Sequence, residues 1–302
     1  MDWDDLRIFL AVARSESLSG AGAALRLDPA TVGRRIARLE DRLAQRLFLK
    51  SPQGYALTDE GARLLPHAER AEAAMAGAAE AAQGAAQGLT GQVRIGAPDG
   101  CANYLLPQVL AAIADDNPGL DLQVVALPRV FNLSRREADM AIAVSRPAAG
   151  RLTVQKVADY RLHLAASRAY LARAGAPDTQ ADLRGHRMVG YIPDMIFDRE
   201  LDYLAEVGVE RVQLASNAIP VQLMWLRAGA GIGMVHAFAM PFAPELVPVL
   251  PEVRLTRSFW LIRHEDDARS ARLARIAQAL AAGLRAEVAR LEAGGPLGGP
   301  AS

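Results

Sequence analysis

The sequence predicts an α/β protein: a small helical head with a β wing, then one long helix, then a larger α/β domain. Three observations carry this. Residues 3–43 show apolar residues at helical spacing, interrupted by capping residues; residues 59–87 are alanine-rich with few helix breakers; and from about residue 91 strand-like and helix-like segments alternate.

The head comes first. Trp3, Leu6, Ile8, Phe9, Leu10, Val12 and Ala13 define a first helix, and Ser17 or Ser19 can cap a second one running to about Leu27. Asp28-Pro29 opens a third: Asp is a strong N-cap, and proline's missing N–H is no loss in a first turn. Val32, Ile36, Leu39 and Leu43 give this helix one apolar stripe, leaving Thr31, Arg34, Arg35 and Arg38 outward. Two short helices joined by a tight turn, the second capped and basic, form a helix-turn-helix pattern. Leu47–Leu49 and Tyr55–Leu57 read as the two strands of a wing, turning at Gln53-Gly54.

Asp59 and Glu60 suit the positive end of the long helix that follows, in which Leu64, Ala68, Ala71, Met75, Ala78 and Ala82 form a narrow apolar seam suited to pairing with a second copy. Gly88-Leu89-Thr90-Gly91 reads as a hinge. Beyond it, strands are expected at 92–97, 120–127, 139–144, 162–166, 187–191, 211–214, 232–235 and 259–263, and helices at 105–115, 167–174, 219–228 and 270–291. This order predicts a mainly parallel sheet. The Gly/Pro-rich residues 294–302 read as a disordered tail.

Composition narrows the function. No apolar stretch reaches the roughly 18 residues a membrane helix needs. The N-terminus is acidic where a signal peptide is basic, and Cys101 is the sequence's one cysteine, so neither a disulfide within the chain nor a cysteine zinc cage is expected. These features suit the cytoplasm. Net charge is zero, yet residues 26–50 carry a local excess of four positive charges, from Arg26, Arg34, Arg35, Arg38, Arg42, Arg46 and Lys50 against Asp28, Glu40 and Asp41. The five histidines are scattered with no pair at metal-ligand spacing, and no Gly-x-Ser-x-Gly elbow is present. Neither an enzyme nor a cofactor is indicated. Gly229-Ala230-Gly231-Ile232-Gly233 superficially suggests a dinucleotide fingerprint, but here a helix precedes the glycines and a strand follows, the reverse of that motif's order.

A series of motifs in register resembles the LysR-type transcriptional regulators. Leu6–Ala13 resembles that family's first helix, Ser17-Leu18-Ser19 with Ala23-Ala24-Leu25 its second, and Thr31–Ile36 through Leu39-Glu40 its recognition helix. Leu47-Phe48 and Leu57–Gly61 resemble its wing and linker start. Gly91–Gly96 with Leu106-Pro107, Glu137–Ile142 and Ala228–Met234 resemble successive parts of its sensor domain. The chain departs from the pattern at Asp28-Pro29-Ala30, where Ser-Gln-Pro or Ser-Gln-Ser is common, and at Gly33, where Ser is common.

The resemblance implies a winged helix-turn-helix DNA-binding domain at 1–58, a linker and dimerisation helix at 59–88, and a two-lobed, periplasmic-binding-protein-like sensor at 89–293, with lobe I near 91–160 and 267–293 and lobe II near 161–266. It implies operator DNA, a small-molecule effector, a second copy of the chain in a homodimer or homotetramer, and RNA polymerase as partners. Arg34 is the leading candidate for a base contact, with Ala30, Thr31 and Arg35 beside it. Ser17 and Ser19 are candidates for phosphate, and Lys50 or Gln53 for backbone contact from the wing. Arg38 and Arg42 read as solvated charge with helix partners such as Asp41. For the effector, the candidates are Asp99, Gly100, Cys101 and Asn103 after the first sensor strand, then Arg129, Ser145, Tyr191, Ser216, Asn217 and His236. Asp99 argues against a simple anion site, since it can cap a helix itself and repel negative charge; Arg129 is a candidate to offset it.

Two other classes compete: a solute-binding or catalytic α/β protein with a helical appendage, and a DNA architectural protein with no sensor. The capped basic helix-turn-helix speaks against the first. The large two-lobed domain speaks against the second.

Overall fold

The computed structural model describes residues 2–51, 54–83, 89–126, 138–148, 150–265, 267 and 270–295. It divides the chain into two compact units, residues 1–86 and 87–302.

In the first unit, α1 (Trp3–Ser15) is capped by Asp2, α2 (Leu18–Leu25) by Ser17 and α3 (Pro29–Leu43) by Asp28, whose carboxylate accepts from the Ala30 and Thr31 amides. The stripe Val32, Ile36 and Leu39 of α3 is buried against Ile8, Phe9, Leu10 and Val12 of α1. β1 (Phe48–Ser51) and β2 (Gly54–Leu57) pair antiparallel as the wing, and the Phe48 ring lies 5.3 Å from that of Phe9. Gly54 has φ of +133°, and a side chain there would meet the Glu16 carbonyl at 2.4 Å, so the wing turn needs a residue without Cβ. Pro52 and Gln53 lie outside the described residues.

α4 (Asp59–Gln83) starts at Thr58, whose hydroxyl accepts from the Gly61 amide and donates to the Arg46 carbonyl. The seam expected for self-pairing is divided. Ala68 is fully buried and Leu64 and Ala71 pack on the head's own core, held by an Arg14–Glu72 ion pair at 2.6 Å, whereas Met75 and Ala78 are exposed. Apolar surface on α1 takes up the first turns of the seam before a partner can.

In the second unit, the strands are β3 (Gly91–Ala97), β4 (Leu120–Ala126), β5 (Met140–Ala143), β6 (Leu152–Ser167), β7 (Met188–Gly190), β8 (Leu214–Ala215), β9 (Ile232–His236), β10 (Leu246–Pro248) and β11 (Arg254–His264). Among the described residues they form one sheet of order β4-β3-β5-β11-β6-β9-β7-β8, with β10 on β6. β3 runs parallel to β4 and β5, and β7 parallel to β8 and β9. The expectation of a mainly parallel sheet is corrected by β6 and β11, which run antiparallel to all their neighbours. These two strands are longer than expected because they serve two sub-sheets: the C-terminal half of β11 pairs with β5, and the C-terminal half of β6 pairs with β9.

Helices α5 (Asp99–Tyr104), α6 (Leu106–Asp116) and α10 (Ala271–Glu292) accompany the β3-β4-β5 half, and α7 (Arg168–Ala174), α8 (Tyr203–Glu206) and α9 (Ile219–Arg227) accompany the other. The turn after α9 uses Gly229 at φ +74°, and a Cβ at Gly231 would meet the Arg187 carbonyl at 2.3 Å. The glycine cluster therefore serves a helix-to-strand turn packed against backbone. No helix among the described residues is long and apolar enough to cross a membrane.

Candidate functional site

The start of α3 is exposed. Asp28, Pro29, Ala30 and Arg34 are exposed and Thr31 is half-exposed. Arg34 donates to Thr31 Oγ1 at 2.9 Å, one turn back on its own helix, so its guanidinium reaches outward over the first turn. Ser17 accepts from the Gly20 amide, Ser19 is exposed on α2, and Lys50 is exposed on the wing strand.

The other arginines of α3 are engaged. Asp5 of α1, fully buried, accepts from Arg35 Nε at 2.9 Å, Arg38 Nη2 at 2.7 Å and Arg42 Nη1 at 3.2 Å. Burial pushes its carboxyl up, but the hydrogen bonds from Arg38 and Arg35 outweigh that and hold it below the usual range. Arg38 and Arg42 are thus ion-paired with another helix instead of being solvated beside Asp41. Arg35, expected beside Arg34 at the DNA face, has its Nε on Asp5 and lies within 4.0 Å of both Asp2 and Asp4. Glu40, also buried, accepts from the Leu47 and Phe48 amides at 2.8 and 3.2 Å and pairs with Arg46, tying α3 to the wing. Asp5 and Glu40 escaped the sequence reading because each acts through a tertiary contact that no motif announces.

In the second unit, the candidates after β3 meet the start of α9. Asp99 accepts from the Gly100 amide at 2.9 Å through Oδ1 and from the Ile219 amide at 2.6 Å through Oδ2. The helix it caps across the gap is α9, beyond its own. A Cβ placed on Gly100 would lie 3.6 Å from the His236 ring and 3.7 Å from Ile219, so Gly100, His236 and Ile219 converge. Burial raises the Asp99 carboxyl above its ordinary range against the opposing amide hydrogen bonds. Burial alone pushes His236 down to about 3, so the imidazole is neutral.

Ser145, after β5, donates to Asp198 of the opposite half. Ser216 accepts from the Ala218 amide, and Asn217 lies half-buried beside it. Tyr191 borders a cavity of about 760 Å³ with Phe197, Tyr203, Leu204, Val212 and Met234. Asn103 is exposed, with its side chain on the Asp99 carbonyl. Cys101 is fully buried and its thiol pushed well up by that burial. Arg129 lies outside the described residues. No cluster of potential metal ligands occurs among the described residues.

Residues 3–62 match the family model for the bacterial regulatory helix-turn-helix protein of the lysR family, and residues 86–285 match that for the LysR substrate binding domain. The chain belongs to the LysR family of transcriptional regulators. This LysR regulator is 31% identical over 251 residues to a probable hydrogen peroxide-inducible genes activator of Mycobacterium avium, covering 78% of each chain. It is 27% identical over 285 residues to the HTH-type transcriptional regulator DmlR of Escherichia coli strain K12, covering 89% of this chain and 90% of that one. Among solved structures its fold is similar to a full-length OxyR variant from Pseudomonas aeruginosa (TM-score 0.72, 17% identity, 94% of each chain) and to ArgP from Mycobacterium tuberculosis (TM-score 0.68, 22% identity, 94% and 97%). The LysR regulator is accordingly a DNA-binding transcription factor with an effector-binding domain. Members of its family are regulators, not enzymes, and form oligomers.

Proposed function

We propose that this LysR regulator reads its operator with the first turn of α3. Arg34 makes the principal base contact, Ala30 and Thr31 flank it, Ser17 and Ser19 engage phosphates, and Lys50 or Gln53 touches the DNA backbone. The observation that carries this reading is the division of the α3 arginines. Arg35, Arg38 and Arg42 are bound to the buried Asp5, while Arg34 is exposed and bonded to a hydroxyl of its own helix. Arg35 contributes at the edge of the contact, through whatever reach remains to it beside Asp5. Footprinting and gel-shift titration of Arg34→Ala on the intergenic DNA beside the regulator's own gene test the assignment.

The effector enters between the two halves of the sensor and is met by Asp99, Gly100, Cys101, Asn103, Ser145, Tyr191, Ser216, Asn217 and His236, with Arg129 a further candidate beyond the described residues. Its binding biases the relative setting of the halves joined by β6 and β11, and the shift equals its difference in affinity for the two settings. Residues 1–58, 59–88 and 89–293 act as DNA-binding, linker and sensor segments. Exposed Val221 and Met224 on α9, and Val124 on the sheet-edge strand β4, support self-association of sensors into a dimer and on to a tetramer. The assembly works in the cytoplasm and acts on RNA polymerase.

The peroxide response named for the Mycobacterium avium relative does not transfer through a disulfide within one chain. A disulfide within one chain needs two cysteines, and this sequence has one, buried.

A further inference from the structure

We propose that Asp99 is a built-in anion occupying the anion-binding end of α9, and that the effector cleft therefore takes an uncharged, hydrogen-bonding molecule and turns away carboxylates and phosphates. This rests on the reading of that cleft as the effector site.

A helix start offers free amides and a positive dipole end, which together favour an anion. In α9 much of that capacity is already taken up. The Ile219 amide donates to Asp99 Oδ2 at 2.6 Å, Pro220 has no N–H, and the Gln222 amide already donates to the Ala218 carbonyl. The N-cap residue, Ala218, has no side-chain oxygen to do this itself. Asp99 reaches it from 120 positions away in the sequence. A second anion at this end of the helix would face a mostly buried carboxylate whose ionised form is already disfavoured by burial.

The groups around this junction call for a neutral partner. His236 Nδ1 is buried without a hydrogen-bond partner, beside the buried hydroxyls of Tyr160 and Tyr203, which face each other. The His236 ring lies 5.5 Å from that of Tyr160 and 5.9 Å from that of Tyr203, and its carbon edge adjoins Gly100. A buried polar atom of this kind can be satisfied by water or by a donor or acceptor on a molecule entering the cleft. Among the described groups here none supplies a positive charge, because His236 is neutral; Arg129 lies outside the described residues. Arg257, stacked over Tyr203, is held by Glu200 and Glu206. Arg146 is exposed on the loop after β5.

Chemical rescue tests this in the full-length protein. Asp99→Ala, which keeps Cβ, vacates the space of one carboxylate group in front of the Ile219 amide. Sodium acetate, compared with acetamide and with sodium chloride at equal ionic strength, is titrated while the Tm of the sensor is followed. The expected result is a saturable rise of about 4 °C or more for Asp99→Ala in acetate, none in acetamide, and none for the wild type in either. Asp99→Ser, which retains a small polar side chain, gives the same pattern if the alanine variant does not fold. Saturable stabilisation of the wild type by acetate, or no acetate response in the folded variants, overturns the proposal. Operator affinity of Asp99→Ala, measured with and without acetate, reads the cleft assignment separately. Rescue of Tm with unchanged operator affinity upholds the internal anion and overturns the effector reading of the cleft, and with it the neutral-effector claim.

Discussion

Replacing Asp5 by Asn removes one charge from the centre of the head while keeping its shape. In the native structure this fully buried carboxylate takes three guanidinium hydrogen bonds, at 2.7, 2.9 and 3.2 Å, and joins α1 to α3. A hydrogen bond to a charged group contributes about 1.5–3 kcal/mol. The arginine side chains are 27%, 48% and 48% exposed, so water screens them, and about 1 kcal/mol for each is the better figure. The amide also turns an N–H₂ toward groups that are themselves donors. Asp5→Asn should therefore cost about 2–3 kcal/mol, which for a head of this size lowers Tm by roughly 10 °C or more. With Trp225 and Trp260 changed to Phe, the fluorescence of Trp3 reports this unit alone. The effect has a pH signature. The folded carboxyl lies below its unfolded value near 3.8, so its contribution is present above that value and fades as pH falls through the folded one. The gap between wild type and variant should be full at pH 7 and shrink in strong acid. A Tm lowered by less than about 2 °C at pH 7 would show that the three arginines do not depend on this charge.

Glu40→Ala should destabilise the head by about 2–3 kcal/mol, because it strands the buried Leu47 and Phe48 amides, whereas Glu40→Gln keeps an acceptor and should cost less than about 1 kcal/mol; equal melting of the two would contradict this. For His236 the folded pKa of about 3 lies below the unfolded 6.5, so sensor stability should fall by about 2 kcal/mol between pH 6.5 and 5 on its account. His236→Gln should flatten that part of the Tm–pH profile. Cys101 should resist iodoacetamide in the native protein and react on unfolding, and Cys101→Ser should leave any peroxide response of operator binding unchanged.

Local signals made the head readable. Asp28-Pro29 and the 32-36-39 stripe fix α3 without tertiary help, and Ser17 caps α2 as its position suggested. The sensor was read less completely, for physical reasons. Only 162–166 of β6 was expected, since the preceding residues carry exposed Gln155, Lys156 and Arg161 that lower its apolar signal. Strand direction depends on which strands become neighbours, and β6 and β11 cross two sub-sheets whose order no local pattern contains. The same limit applies to the site. Asp99 was legible as a capping residue adverse to anions, but its partner Ile219 lies 120 positions away. The seam of α4 was legible as apolar, but its spacing does not tell the head's own α1 from a second copy.

Everything proposed for DNA recognition depends on the exposed first turn of α3 with Arg34 at its edge. The decisive measurement is quantitative footprinting of wild type and Arg34→Ala on one operator at several salt concentrations. The expected loss is about 1–3 kcal/mol, roughly 5- to 150-fold in affinity, with relaxed sequence preference at one position and head stability unchanged. Wild-type affinity and sequence preference in Arg34→Ala would remove Arg34 from the interface and the first turn of α3 with it.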